Sequence, residues 1–135
     1  MIAVDTSVLI AILMDEPEKD AFIQFIASHQ PAHLCAVSFQ EAGMIICSRR
    51  GPDGVKDLLD LVAVLRLRVA AYDEAQAQLA IDAFARYGKG MGTAAKLNMG
   101  DCATYGLATF LNVPLLYKGD DFTATEIAAS RIAAT

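Results

Sequence analysis

Short β-prone runs alternate with longer stretches of helical spacing along most of this chain, and that alternation limits its fold more than any other feature. Ile2–Val4 is the first such run, followed by a short helix over Val8–Leu13 that stops before Pro17. Glu18–Ser28 sets Ala21, Phe22, Phe25 and Ile26 at helical spacing, and Pro31 ends that segment. His33–Val37 reads as a strand and Ser38–Ser48 as a helix closing in Arg49-Arg50-Gly51-Pro52. Asp53–Leu65 follows as a helix with one buried stripe of Val55, Leu58, Leu59, Val62 and Leu65. Leu67–Ala70 is a strand near an edge, and Asp73–Tyr87 an alanine-rich helix with Asp73 as cap and Gln76 three residues on. After an exposed loop at Gly88–Gly92, Cys102–Leu111 is the last long helix and Leu115–Lys118 the last strand, with a weakly patterned tail from Thr123 to Thr135. Strands separated by helices join through right-handed crossovers, so the expected fold is α/β: three layers, α/β/α, around a mainly parallel central sheet. No repeat or linker interrupts the pattern, and 135 residues suit a single domain over 1–135.

Composition narrows the class further. Hydrophobic residues make up 55% and charged residues 20%, which excludes a disordered chain. Apolar runs such as Leu58–Leu65 meet charge well before the ~20 residues of a membrane span. Met1–Asp5 has no basic lead and is soon followed by Asp15, Glu16 and Glu18, unlike a signal peptide. Cys35, Cys47 and Cys102 are odd in number, lack CxxC spacing and lie in apolar segments, as expected of buried thiols in a reducing compartment. A soluble cytoplasmic protein is expected. The net charge of −5 counts against a polyanionic partner unless cations fill an acidic site.

Such a site is legible. Asp5 directly follows the first strand, Glu41 lies just after the second, Asp101 opens the last long helix, and Asp120-Asp121 follow the last strand. Ligands of open α/β sheets bind at the carboxyl ends of the strands, so these acids belong to one rim. Each also has a structural alternative as a helix cap: Ser38-Phe39-Gln40-Glu41 is a capping box, Asn98 to Asp101 has the same spacing, and Asp5 can cap its own helix. Asp73 follows a strand too, yet is fully explained as a cap, so position alone overcalls. The other acids share inward faces: Asp5 continues an apolar strand, Glu41 pairs with Ile45 and Asp101 with Tyr105. Carboxylates converging there would repel one another and take up protons unless a cation lay between them. Oxygen ligands without a nearby thiolate or imidazole favour Mg²⁺ or Mn²⁺, and His29 and His33 are not placed as ligands. The matching chemistry is metal-assisted phosphodiester hydrolysis. Arg49, Arg50, Lys89, Lys96 and Lys118 are candidates for a phosphate-contacting rim.

Val4-Asp5-Thr6-Ser7, Glu41-Ala42, Leu97-Asn98-Met99-Gly100-Asp101-Cys102 and Lys118-Gly119-Asp120-Asp121-Phe122 together resemble, in order and over nearly the whole chain, VapC-type toxins of the PIN-domain ribonuclease family. The resemblance implies a divalent-metal-dependent endoribonuclease, a homodimer, and inhibition by a small VapB-type antitoxin. It implies Asp5 and Asp101 as principal Mg²⁺ ligands, Glu41 and Asp120 as further site acids with Asp121 competing for the last place, and a supporting hydroxyl from Thr6 or Ser7. Thr93-Ala94 stands where relatives often carry His-Pro, and Thr125-Glu126 where they carry Thr-Asp. The glycine loop at Gly88–Gly92 lacks the G-x-x-x-x-G-K-[ST] pattern of a phosphate loop. Two other classes fit less well. A receiver domain needs an acceptor aspartate directly after a central strand, and Glu41 lies in a helix; a non-catalytic PIN-like binding module has no need of the intact acids.

Overall fold

Five short strands carry the fold in the computed structural model, which describes residues 1–127 and 129–130. The elements run β1 (Ile2–Val4), α1 (Thr6–Leu13), α2 (Lys19–Ser28), β2 (Ala32–Cys35), α3 (Ala36–Val64), β3 (Leu67–Ala70), α4 (Glu74–Tyr87), α5 (Met99–Leu111), β4 (Leu115–Leu116) and β5 (Ala129–Ser130). The sheet order is β3-β2-β1-β4-β5, and each neighbouring pair is parallel. The end of the weakly patterned tail, 131–135, lies outside the described residues. The chain steps outward from β1 to β2 and β3, then returns to the other side of β1 to lay down β4. That reversal opens a crevice at the carboxyl ends of β1 and β4, where ligands of such sheets bind.

Alternation along the strands sends side chains to opposite faces. Ile2, Val4, Leu34 and Leu116 pack with Leu9, Ile12, Ile46 and Leu58 of α1 and α3. Ala3, Cys35 and Leu115 pack with Ala80, Ala83, Leu107 and Phe122 on the side of α4 and α5. These two cores give the three expected layers. Small residues let α4 and α5 approach closely: a Cβ at Gly106 would stand 2.8 Å from the Gln76 carbonyl oxygen.

Several expected boundaries move. β2 ends at Cys35, and Ala36 and Val37 begin α3 instead of continuing the strand. The neighbours explain this: β1 pairs only as far as Val4 with Leu34, and β3 only as far as Ala70 with Cys35, so a longer β2 would have no ladder. The two helices expected on either side of Gly51-Pro52 meet in one kinked element, where Gly51 takes φ 67° and ψ −158°. A positive φ suits glycine, and proline is favoured at the start of the stretch that follows. β4 stops at Leu116, two residues short of expectation, while α5 begins earlier than expected, at Met99. Asp73 caps α4 through the Gln76 amide at 3.0 Å, but the Gln76 side chain donates to the Ala71 carbonyl at 2.8 Å, so no reciprocal box forms there. Cys35 and Cys102 are buried free thiols; Cys47 is exposed, contrary to expectation. Among the described residues no helix is long and apolar enough to cross a membrane.

Candidate active site

The crevice between β1 and β4 receives its first acid directly from the sheet. Asp5 follows β1, and its amide donates to the Leu116 carbonyl at 3.0 Å, which ties it to β4. Its Oδ2 caps α1 by accepting the Ser7 amide at 3.1 Å and the Ser7 hydroxyl at 2.6 Å. Ser7 Oγ also accepts the Lys118 amide at 3.0 Å, so one hydroxyl joins Asp5 to the segment after β4. Asp101 sits in the first turn of α5 in a capping box with Asn98: its amide donates to Asn98 Oδ1 at 2.9 Å, and its Oδ2 accepts the Asn98 amide at 3.1 Å. The cap reading and the site reading of these two acids are therefore compatible, because each cap engages Oδ2.

Burial dominates their electrostatics. Asp5 is 5% exposed and Asp101 8%. Desolvation raises the Asp5 carboxyl above its ordinary range, against hydrogen bonds from Ser7 and Thr104, and the charge of Asp121 adds to the rise. Asp101 is pushed up to about 7, first by burial; the Asn98 amide opposes this, and the charges of Asp5, Asp121 and Glu41 reinforce it. Asp101 thus senses acids from three other segments.

Glu41 reaches the rim from α3. A Cβ on residue 100 would come within 2.9 Å of its Oε1 and collide with the carboxylate, so Gly100 supplies the space that Glu41 occupies. The capping box expected for Ser38 and Glu41 does not form: Cys35 is the N-cap residue of α3, and the buried Ser38 hydroxyl faces Thr104 at 2.7 Å. Asp120 and Asp121 are both exposed in the turn after β4. The Asp120 carbonyl accepts the Thr123 amide at 3.1 Å, and Asp121 is the neighbour whose charge acts on both Asp5 and Asp101. The acids share a rim without closing on a point: among the described residues, no three His, Cys, Asp or Glu side chains stand close enough to hold an ion.

The remaining candidates scatter. Thr6 Oγ1 donates to the Ser38 carbonyl at 3.1 Å and so ties α1 to α3, leaving Ser7 as the hydroxyl on Asp5. Lys118 pairs with Glu16 and, at 2.7 Å, with Glu18. Arg50 pairs with Asp57, and it lies about 13 Å along α3 from Glu41 at helical rise, beside the exposed Arg49. Lys89 and Lys96 are exposed in the loop that leads to α5. Local patterns gave no signal for the contacts that hold the acidic turn. Phe122 is buried against Tyr117, with ring centroids 5.1 Å apart, and Glu126 accepts the hydroxyls of Tyr87 and Tyr105 while pairing with Arg86.

Residues 2–128 match the family model described as PIN domain. Ribonuclease VapC28 of Mycobacterium tuberculosis is 40% identical over 124 residues, covering 92% of this chain and 93% of that protein. Ribonuclease VapC of Mycolicibacterium smegmatis is 38% identical over 126 residues, covering 93% and 97%. Among solved structures, Mycobacterium tuberculosis VapC20, described as a Sarcin-Ricin loop cleaving toxin, superposes with a TM-score of 0.79 at 15% identity, over 98% of this chain and all of that one. VapBC2 from Rickettsia felis, bound to a promoter DNA fragment, does so at 0.69 and 12% identity, covering 96% and 98%. The chain belongs to the PIN-domain family and, within it, to the VapC proteins.

The raised Asp101 carboxyl has a consequence for stability. Its native form keeps a proton that the unfolded chain loses above about pH 4, so folding stability due to this group falls from there to about pH 7. In metal-free buffer, urea denaturation should show wild type losing stability relative to Asp101→Asn across that window. A constant difference between the two proteins would mean that Asp101 carries no such burden.

Proposed function

We propose that this chain, working as one PIN domain, is the toxin of a toxin–antitoxin pair and an endoribonuclease that needs Mg²⁺, with Mn²⁺ as a substitute. The observation that carries this reading is the buried pair Asp5 and Asp101 at the strand-switch crevice, each carboxyl raised by burial and by like charge from neighbouring acids. A hard dication relieves that repulsion. The donors suit it: they are oxygens, and the neighbouring Cys102 thiol, pushed up to about 11 by burial and by Asp101, stays neutral. Gly100 leaves room for the Glu41 carboxylate. Asp5 and Asp101 would hold the ion, with Glu41 and one of Asp120 or Asp121 completing the site; the electrostatic coupling supports Asp121.

When bound, the cation supplies an acidified water and neutralises charge on the scissile phosphate. The protein supplies the rest. Ser7 and Asn98 each hold one carboxylate oxygen, Oδ2, of Asp5 and Asp101 respectively. In this reading the reacting phosphate lies against the ends of β1 and β4; water attacks phosphorus in line, the P–O3′ bond breaks, and the departing 3′ oxygen takes up a proton from solvent, leaving 5′-phosphate and 3′-hydroxyl ends. Lys89 and Lys96 are exposed beside α5 and support contact with the RNA backbone. Lys118, Arg49 and Arg50 receive less support, the first because Glu16 and Glu18 engage it and the others because of their distance from Glu41.

The names of the relatives support RNA hydrolysis, and the toxin–antitoxin complexes among the structural neighbours, from Klebsiella pneumoniae and Rickettsia felis, support a small antitoxin of the VapB type. Protein partners, including a second copy of the chain, are supported by apolar surface beside the site. Tyr72, Ile81, Phe84 and Met99 line a hollow of about 310 Å³, and Met99 is 78% exposed. The proposed site of action is the cytoplasm.

Purified chain free of antitoxin should cleave RNA with Mg²⁺ or Mn²⁺ and stop on addition of EDTA. Asp5→Asn and Asp101→Asn should each lower cleavage at least a hundredfold and relieve growth arrest on expression. Cleavage that persists in EDTA, or full toxicity of either variant, would move the chemistry elsewhere. Gly100→Ala should separate activity from folding. The added methyl displaces Glu41, so cleavage should fall at least tenfold, while alanine in a helix keeps or raises stability by up to about 1 kcal/mol. Wild-type cleavage by Gly100→Ala would remove Glu41 from the site.

A further inference from the structure

Asp5 is held by more than its own turn. Ser38, one turn before Glu41 on α3, and Thr104, one turn after Asp101 on α5, are 0% and 1% exposed, with hydroxyl oxygens 2.7 Å apart. Each hydroxyl carries one proton, and a facing pair consumes only one of the two. A second proton left without an acceptor at this depth would cost the full desolvation of a donor. The Asp5 carboxylate is the acceptor at hand: Thr6, its neighbour in the chain, binds the Ser38 carbonyl at 3.1 Å, and the influence of the Thr104 hydroxyl lowers the Asp5 carboxyl against the effect of burial. The proton order that satisfies the trio runs from Ser38 O–H to Thr104 Oγ1, and from Thr104 O–H to Asp5. Thr6 Oγ1, donating to the Ser38 carbonyl at 3.1 Å, keeps the start of α1 against the same turn of α3.

We propose that Thr104, backed by Ser38, is a positioning residue that aims the Asp5 carboxylate at the crevice. Ser7 holds Asp5 from the solvent side of the cap, through Oδ2. Thr104 holds it from the core side and ties its orientation to the two helices that deliver Glu41 and Asp101. A carboxylate gripped from both sides meets a cation already oriented, whereas one held by Ser7 alone can swing about its Cα–Cβ and Cβ–Cγ bonds. Partners behind a metal ligand typically change affinity about 10–100-fold when removed. The competing role is plain packing, in which the hydroxyl pair fastens α3 to α5 and does nothing for Asp5.

The proposal rests on Asp5 being a metal-holding acid, and the experiment separates the two. Thr104→Val replaces the hydroxyl by a methyl of similar volume; Thr104→Ser restores the hydroxyl without the methyl. Mn²⁺ binding to the full chain would be measured by titration calorimetry without RNA, alongside kcat and KM for RNA cleavage. Thr104→Val should weaken Mn²⁺ binding at least tenfold and lower kcat with KM little changed, and Thr104→Ser should recover both to within about threefold of wild type. Wild-type Mn²⁺ affinity in Thr104→Val overturns the proposal, as does a Thr104→Ser as impaired as Thr104→Val, which would assign the residue to packing. Should Thr104→Val fail to fold, Ser38→Ala decides: binding about tenfold weaker supports the relay, and binding within about threefold of wild type overturns it. Asp5→Asn reads the metal assignment alone. If it binds Mn²⁺ as wild type does, the metal reading has failed; if it loses binding while Thr104→Val keeps it, only the positioning role has failed.

Discussion

Burial of like charge governs this molecule. Asp5 and Asp101 lie 5% and 8% exposed where β1, β4 and α5 meet, and Asp101 also senses Glu41 and Asp121. Desolvated carboxylates in one crevice are unfavourable for a folded chain by themselves, and a fold keeps such an arrangement only if its scaffold is firm enough to bear it. The firmness comes from the sheet. β1 is fully buried at the centre, with α1–α3 on one face and α4–α5 on the other, so the backbone at Asp5 is fixed from both sides.

The caps extend that control to the side chains. Asp5 and Asp101 each accept bonds at the start of a helix, where free amides and the positive end of the dipole favour a carboxylate. These bonds offset part of the burial cost and set the direction of each group. Ser7 does a further task by joining Asp5 to the amide of Lys118, while Lys118 is drawn to Glu16 and Glu18 in the connection between α1 and α2. The turn with Asp120 and Asp121 is then bracketed by Lys118 on one side and by Phe122 and the Glu126 cluster on the other. Glu126 has a full set of partners in Tyr87, Tyr105 and Arg86.

Much of this was legible in the sequence wherever the signal was local. Hydrophobic period and punctuation by Pro17, Pro31 and Gly51-Pro52 marked β1, α1, α2 and the bend in α3, and the Asn98-to-Asp101 spacing announced a real capping box. The misreadings came where distant residues decide. Cys35-Ala36-Val37 is apolar and unpunctuated, and only the short ladders of β1 and β3 end β2 at Cys35. Ser-x-x-Glu is a local cap signature, but Ser38 is recruited by Thr104, 66 residues away, which releases Glu41 from the cap reading. The pairing of Lys118 with Glu16 and Glu18 was equally invisible, because those acids are remote in sequence and close in space. Gly100 was visible as part of a motif, but its reason, the carboxylate of Glu41 packed against it, needed the fold.

If Asp5, Asp101, Glu41 and one of Asp120 or Asp121 form one cation site, a divalent ion belongs at the β1–β4 crevice. Anomalous diffraction from crystals of the chain grown with Mn²⁺ tests it without reliance on RNA, partner or turnover. A peak bounded by the carboxylates of Asp5 and Asp101, with Glu41 and one of Asp120 or Asp121 drawn toward it, is the expected result. Mn²⁺ bound elsewhere on the chain, or absent from the crevice at saturating concentration, would contradict it.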